Sequence, residues 1–322
     1  MGKLLTLAIP TYNRVEKLKM CLEQVIEQTR GKSVELLVSD NASTDGTQQF
    51  MEGYCREHPN ITYVRNAENI GPDRNFLNCY GKASGEYVIL LGDDDLLLPG
   101  AVDAILEALA RKPVFVHLNS CTLLSQEPLN CTPPRVEEGE MRIYCKREEI
   151  MEQMGIFVTF LSSFVLRTDL VRQIEDPEQY IGTYFIQSHI AIATLAAEGE
   201  YIYITKNCIA ATGNKTVNYD IYFVWGKMYQ KLLMETGVSA GIDPQLLRRI
   251  HLHDLHDQVY WFVKYYRASC PQSKKWDKKA ILDVVKPYRK LYIRYWATVY
   301  LPLPIVDAAQ KCKRGVKRLL GR

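Results

Sequence analysis

Short apolar runs alternate with helically spaced apolar residues through the first 120 positions of the chain. Leu4 to Ile9 is apolar and brief, and Pro10-Thr11-Tyr12-Asn13-Arg14 interrupts it, which predicts a strand and then a loop. Leu18, Cys21, Leu22, Val25 and Ile26 recur at helical spacing, and Gly31 is placed to end that helix. Val34 to Val38 reads as a second strand, closing on Ser39-Asp40-Asn41 and the turn-rich Ala42-Ser43-Thr44-Asp45-Gly46. Phe50, Met51, Tyr54 and Cys55 mark the next helix, Ile61 to Val64 a third strand, and Asn69 to Asn75 the loop that opens a third helix. Tyr87 to Leu91 is the fourth strand; a helix carrying Val102, Ile105, Leu106 and Leu109 and a fifth strand, Val114 to Leu118, follow. This alternation predicts an α/β fold, a mostly parallel sheet with helices on both faces.

In such a sheet the ligand binds outside the carboxyl ends of the strands, where the strand order reverses. Each of the first four strands is followed by a polar cluster, so all four clusters should crowd one rim. The fourth is the most acidic: the buried run ends in Gly92, then Asp93, Asp94 and Asp95, then Leu96 to Leu98, Pro99 and Gly100. Three adjacent carboxylates repel one another, and a cation is expected to offset them. Hard divalent ions such as Mg²⁺ and Mn²⁺ prefer carboxylate oxygens and commonly bring a phosphate. The stretch reads either as a metal–diphosphate site or as an acidic turn that caps the next helix. Four clusters sharing one edge favour the first.

PTYNR, VSDNASTDGT, NIGPDRN and LGDDD, in this order and spacing, resemble the nucleotide-sugar domain of glycosyltransferase family 2, which has the GT-A fold. The resemblance covers residues 3 to 120 well and 140 to 215 loosely, and Thr159 to Arg167 is similar to the acceptor side of members that build bacterial surface polysaccharides such as O-antigen. It implies that Thr11, Asn13 and Arg14 lie beside the nucleotide and that Asp40 accepts a hydrogen bond from the base. It places Asp73 and Arg74 near the donor, with Arg74 suited to phosphate or ribose. Asp93 would face the ribose or donor sugar, and Asp94 would support that donor side. Asp95 matches the last acid of the family's DXD motif and would hold Mg²⁺ or Mn²⁺ as Lewis acid for the departing nucleoside diphosphate.

Farther along, residues 125–139 hold three prolines and read as a surface loop, Glu148 to Met154 as a short helix, and Phe157 to Leu166 as a strand or strand pair. Ser188 is placed to cap a helix from His189 to Glu198, and Tyr201 to Ile204 is a further strand. An inverting transfer needs a base for the acceptor hydroxyl. Family members often supply it from a Glu-Asp pair before this helix, where the present chain has Ile186-Gln187-Ser188-His189. His189 is the substitute candidate, since imidazole titrates near neutrality, with Glu175 and Asp176 as alternatives; its structural reading is a helix-end histidine satisfied by backbone. The run His251 to Asp257 misses a metal spacing because Leu255 stands where an acid is needed, and it reads as a polar helix face. Leu252, Leu255, Val259, Phe262, Val263 and Tyr266 form one helical stripe.

Composition alters this picture mainly at the C-terminus. The 322-residue chain has a net charge of +3, yet residues 271–322 hold 14 Lys or Arg against 3 Asp or Glu, leaving 26 against 34 in the rest. Tyr288, Tyr292, Tyr295, Trp296 and Tyr300 precede Ile305, Val306, Val316, Leu319 and Leu320 mixed with Lys311, Lys313, Arg314, Lys317, Arg318 and Arg322. Aromatics, an apolar face and clustered cations describe a helix lying in an anionic membrane interface; a solvated tail and an RNA-binding tail are the other readings. The 9 cysteines show no paired spacing and read as reduced thiols, and no leader is expected before the first strand. The expected organisation is a transferase domain over residues 1–218, with donor half 1–120 and acceptor half 121–218, and a helical region over 219–322 ending in the basic tail. The expected activity is sugar transfer from a nucleotide-diphosphate donor to a polyprenyl-diphosphate-linked glycan at the cytoplasmic face of a bacterial membrane, with the protein peripheral and no nucleic acid involved. The rivals are a sugar nucleotidyltransferase, against which Pro10 to Arg14 lacks a glycine-rich triphosphate loop, and a catalytically inactive nucleotide-sugar-binding or membrane scaffold protein.

Overall fold

Seven consecutive buried residues, Leu5–Thr11, form β1, and β2 (Val34–Asp40) repeats that pattern alongside it. Continuous apolar strands belong in a parallel sheet covered on both faces, and the two pair in parallel from Leu5 opposite Val34 to Thr11 opposite Asp40. The computed structural model describes residues 2–125, 129–133, 136, 137, 139, 141–212 and 217–309. Helix α1 (Val15–Thr29) leads from β1 to β2, α2 (Thr47–Glu57) from β2 to β3 (Ile61–Arg65), and α3 (Pro72–Lys82) from β3 to β4 (Tyr87–Leu90). The apolar positions that define α1 in the sequence, Leu18, Cys21, Leu22, Val25 and Ile26, are the ones it buries. After β4 come β5 (Leu96–Leu97), α4 (Ala101–Leu109), β6 (Phe115–Ser125), β7 (Asn130–Cys131), β8 (Arg142–Tyr144) and α5 (Arg147–Met154). Then follow β9 (Phe164–Arg167), α6 (Thr168–Arg172), α7 (Ile186–Thr194) and β10 (Tyr201–Ala211).

The sheet order is β3-β2-β1-β4-β9-β6-β10-β5, with β7 on β6 and β8 on β10. The long ladders are parallel; antiparallel pairing is confined to β9, between β4 and β6, and to the short strands β5, β7 and β8. The chain runs outward from β1 to β3, then returns to place β4 on the other side of β1. The switch point therefore lies at the carboxyl ends of β1 and β4. Close seating of β4 needs Gly85, where a Cβ would stand 2.7 Å from the Leu5 carbonyl carbon and the Thr6 nitrogen.

Three local predictions are corrected. Residues 157–166 are not a strand throughout: 3₁₀ turns at Gly155–Thr159 and Leu161–Ser163 precede β9. Thr159 Oγ1 donates to the Ile156 carbonyl, and Ser163 Oγ to those of Phe157 and Phe160, so hydroxyls take carbonyls a ladder would use. Helix α7 starts at Ile186 without a Ser188 cap and ends at Thr194, where Thr194 Oγ1 takes the Ala191 carbonyl at 2.7 Å and the N–H groups of Leu195, Ala196 and Ala197 turn to the carbonyls three residues back. The stripe from Leu252 to Tyr266 is divided between α9 (Pro244–His256) and α10 (Gln258–Ser269). Tyr295 and Arg294 donate to the Leu255 and His256 carbonyls, which a continuous helix would need.

Contacts divide the chain into two units, Met1–Gly213 with Thr236–Leu246, and Asn214–Glu235 with Leu247–Arg322. In the second, a wide π-helical stretch at Phe223–Met228 leads into α8 (Tyr229–Lys231), and α10 is followed by α11 (Lys278–Val285) and α12 (Arg289–Tyr300). Gly226 faces the α11 backbone so closely that a Cβ would lie 3.1 Å from Ile281 Cα. Tail residues from Lys311 to Arg322, and Lys215, lie outside the described residues.

Candidate active site at the sheet switch point

The acidic turn is held from three directions. From the end of β1, Thr11 Oγ1 donates to Asp93 Oδ2 at 2.8 Å. From the start of α1, Arg14 Nη1 lies 2.9 Å from Asp93 Oδ1 and 3.2 Å from Asp94 Oδ2, and Lys17 Nζ lies 2.9 Å from Asp94 Oδ2. From the 3₁₀ turn before β9, Ser162 Oγ donates to Asp95 Oδ2 at 2.6 Å and itself accepts the Gly92 N–H at 2.9 Å. A Cβ at residue 92 would come within 2.8 Å of Asp95 Oδ2, so glycine is needed for this relay. Thr212, just past β10, adds a hydroxyl to the Asp94 carbonyl at 3.0 Å.

The charges are unevenly matched. Asp93 and Asp95 are buried, while Arg14 and Lys17 are about half exposed and each meets the carboxylates through a single nitrogen. Burial pushes the Asp93 carboxyl up, against the pull of the Arg14 guanidinium and the Thr11 hydroxyl. Burial pushes Asp95 farther, to about 7, because its direct partner is a neutral hydroxyl and Asp94 and Asp93 add repulsion. Asp95 is thus the carboxylate whose charge the two cations leave uncompensated.

The neighbouring rim is built by cross-loop hydrogen bonds. Asn13, at φ 52°, donates its N–H to Ser43 Oγ at 2.9 Å and accepts the Thr44 N–H at 2.7 Å. Asp45 caps α1 by accepting the Val15 N–H at 2.9 Å; against burial, which raises it, hydrogen bonds from Thr47 and Val15 hold its carboxyl low. Asp40 is fully buried, accepting the Ser43 N–H at 2.9 Å and the Tyr63 hydroxyl at 2.7 Å, with Arg65 Nε 3.4 Å away. An amide network joining Asn41, Asn66, Asn69, Asn75 and Asn78 fixes the loop before α3.

The structure therefore joins Thr11, Arg14, Asp93 and Asp94 by direct contacts, with Asp95 next in the turn on Ser162 and with Asn13 and Asp40 one loop away. Asp73 and Arg74 turn instead toward residues 176–183: Asp73 Oδ2 accepts the Gly182 N–H at 2.7 Å, and Arg74 Nη2 lies 3.5 Å from Glu178. Glu175 and Asp176 are exposed at the start of that segment. His189 is fully buried in α7, its Nδ1 2.6 Å from Thr236 Oγ1 and its ring stacked on Tyr180 at 4.2 Å. Sequence reading missed Lys17, which carried no signal beyond standing on the polar side of α1, and Ser162, hidden in a run that reads as strand.

Among the described residues no three His, Cys, Asp or Glu side chains are grouped to hold a metal ion. A hard ion that also binds substrate phosphates needs only one or two carboxylates, and the buried, uncompensated Asp95 with Asp93 beside it fits that requirement.

A half-sheet wound from β1 in both directions, with an acidic turn at the switch point, defines the GT-A class of transferase fold. Residues 6–174 match the profile of the Glycosyl transferase family 2; the chain belongs to this family and is a glycosyltransferase. The abequosyltransferase RfbV of Salmonella typhimurium is 30% identical over 228 residues, 66% of this chain and 67% of that protein. The GalNAc(5)-diNAcBac-PP-undecaprenol beta-1,3-glucosyltransferase of Campylobacter jejuni is 34% identical over 124 residues, 38% of this chain, which spans 39% of that protein's length. Among solved structures, S. aureus TarS 1-349 in complex with UDP-GlcNAc superposes with a TM-score of 0.60 at 15% identity, covering 95% of this chain and 83% of that one. The mannosyltransferase PcManGT from Pyrobaculum calidifontis, in complex with GDP-Man and Mn²⁺, gives a TM-score of 0.53 at 19% identity, covering 96% and 87%. These two likenesses establish the fold.

Proposed function

We propose that this chain transfers a sugar, with inversion, from a nucleoside-diphosphate donor to a hydroxyl of a polyprenyl-diphosphate-linked glycan, in bacterial surface polysaccharide synthesis at the cytoplasmic membrane face. The observation that carries the reading is the convergence of Thr11, Arg14, Lys17 and Ser162 on three carboxylates at the switch point. The relative named for abequosyl transfer supports the sugar transfer, and the one named for a PP-undecaprenol acceptor supports the lipid-linked glycan. Asp95 would hold Mg²⁺ or Mn²⁺, which supplies Lewis-acid stabilisation of the leaving diphosphate. Arg14 and Lys17 would face that diphosphate with their remaining N–H groups. Asp93 would orient the ribose or donor sugar, supported by Asp94, and Asn13 and Asp40 would shape the base end. Asp73 and Arg74 would link the donor rim to the segment bearing Glu175 and Asp176.

Thermal melting with UDP, GDP, CDP and dTDP, each with and without Mn²⁺, tests the reading. One of the four should stabilise the protein only with metal, by about 2.7 kcal/mol at a hundredfold excess over Kd. If none gives a metal-dependent shift, the reading fails.

The base divides into two cases. Burial of His189 and its Thr236 bond support a positioning role, whereas the exposure of Glu175 and Asp176 supports proton acceptance by one of them. We expect Glu175→Gln or Asp176→Asn to lower kcat about a hundredfold with donor KM unchanged. His189→Gln should lower Tm while leaving the pH profile of kcat in place. Full turnover in both carboxylate variants, with loss in His189→Gln, would return the base role to His189.

A further inference from the structure

The second unit exposes large aromatic side chains at regular helical spacing. On α10, Trp261 is 61% exposed and Tyr265, one turn on, is also exposed; on α12, Ile293, Trp296 (43% exposed) and Tyr300 stand at i, i+3 and i+7. Ile305 continues the exposed series beyond α12. These residues are separate from the packing that joins the two helices. Helix α10 buries Val259, Tyr260 and Val263 and α12 buries Leu291, Tyr295, Thr298 and Val299; the two meet through Tyr260, which lies edge-on to Tyr295 at 5.4 Å, shares a 2.7 Å hydrogen bond with the Thr298 hydroxyl and carries Arg294 stacked on its ring. The exposed rings pair among themselves, Trp261 with Tyr265 and Trp296 with Tyr300.

The same segment is strongly basic. Residues 258–309 carry ten Lys or Arg against three acids, Asp277, Asp283 and Asp307. Lys278 Nζ sits 5.2 Å above the Tyr300 ring, and Lys286, Arg289 and Lys290 are exposed at the start of α12.

We infer that the outward faces of α10 and α12 dock on an anionic lipid bilayer. Trp and Tyr combine an apolar ring with a polar edge and favour the headgroup boundary. Lys and Arg keep their charge in water while their stems lie along the apolar layer, and each adds attraction to an anionic surface. Aromatic burial and basic charge together supply the two signals that stable peripheral binding requires. Exposed aliphatics such as Ile293 and Ile305 do not suit a phosphate-backbone surface, which disfavours nucleic acid. The excess positive charge would repel a second copy presenting the same face. Among the described residues no helix is long and apolar enough to cross a membrane, so the contact would be interfacial. The inference uses no donor-site residue, so it stands or falls separately from the proposed reaction.

Flotation of the full chain with phosphatidylcholine vesicles, with and without phosphatidylglycerol, tests it. Binding should require the anionic lipid, weaken with salt, and shift tryptophan emission to the blue. Trp261→Ser with Trp296→Ser should lower partitioning about tenfold or more, and Lys286→Glu with Lys290→Glu should act on the anionic vesicles only. Both double variants should keep the wild-type Tm and its nucleotide-induced shift. No flotation with either vesicle, or flotation untouched by both double variants, would overturn the inference. So would a dimer in solution that the tryptophan substitutions abolish while vesicle binding persists.

Discussion

Asp95→Asn should make the metal-free protein more stable and nearly inactive. The folded carboxyl titrates at about 7, above the ~3.9 of an unfolded aspartate. Between these values the folded state binds the extra proton. The stability this group contributes is therefore complete below about pH 4 and is lost as pH rises through about 7. Asparagine removes that loss while still accepting the Ser162 hydroxyl at 2.6 Å in place of the carboxylate oxygen. At pH 8 without metal, the variant should thus melt above wild type. Turnover should fall by at least about a hundredfold, since the ion that would offset the charge of the leaving diphosphate loses its carboxylate. If Asp95 holds the ion, Mn²⁺ displaces its proton in wild type, and metal-dependent nucleotide binding should strengthen up to about tenfold per pH unit below pH 7 and level off above it. The variant should show neither the metal-dependent shift nor this slope. A variant that melts below wild type at pH 8, or that keeps the Mn²⁺-dependent shift, would remove Asp95 from the metal.

The rim of this candidate site was legible because it obeys local rules. Apolar runs of strand length ended in polar turns after β1 through β4, and parallel topology forces those ends onto one rim. Asp93 to Asp95 stand out because three adjacent acids have no local reason to follow a buried strand. What was not legible depends on contacts between distant segments. Ser162 reaches Asp95 across 67 positions, and its turn forms because neighbouring hydroxyls compete for backbone carbonyls inside a run of strand-favouring residues. Lys17 meets Asp94 across 77 positions. His189 is polar and near the expected helix start, yet α7 is buried almost throughout, so a residue type suited to proton transfer became a candidate that the packing encloses. Asp73 and Arg74 follow the donor-side loop, but their partners lie in residues 176–183, where the sequence has no periodicity to read.

Removing Arg14 and Lys17 should weaken diphosphate recognition more than any change on the nucleoside side. Three carboxylates face two cations, a net of one negative charge; a divalent ion makes the turn net positive, suited to a diphosphate. Both cations are about half exposed and contact carboxylates through single nitrogens, so donors remain for a phosphate. A charged hydrogen bond is worth roughly 1.5–3 kcal/mol. Arg14→Ala or Lys17→Ala should therefore raise the nucleoside-diphosphate Kd about ten- to a hundredfold, with a much smaller effect on the monophosphate. Part of that loss would come from leaving Asp94 with one cation instead of two, and calorimetry on a double-mutant cycle separates the two causes. If Lys17 only neutralises Asp94, Lys17→Ala with Asp94→Asn should recover wild-type affinity, because charge balance is restored. If Lys17 faces the diphosphate, the double variant should keep the loss of Lys17→Ala while Asp94→Asn alone stays near wild type. The two free donors of the Lys17 ammonium favour the second outcome; full recovery in the double variant would reduce Lys17 to a brace for the turn.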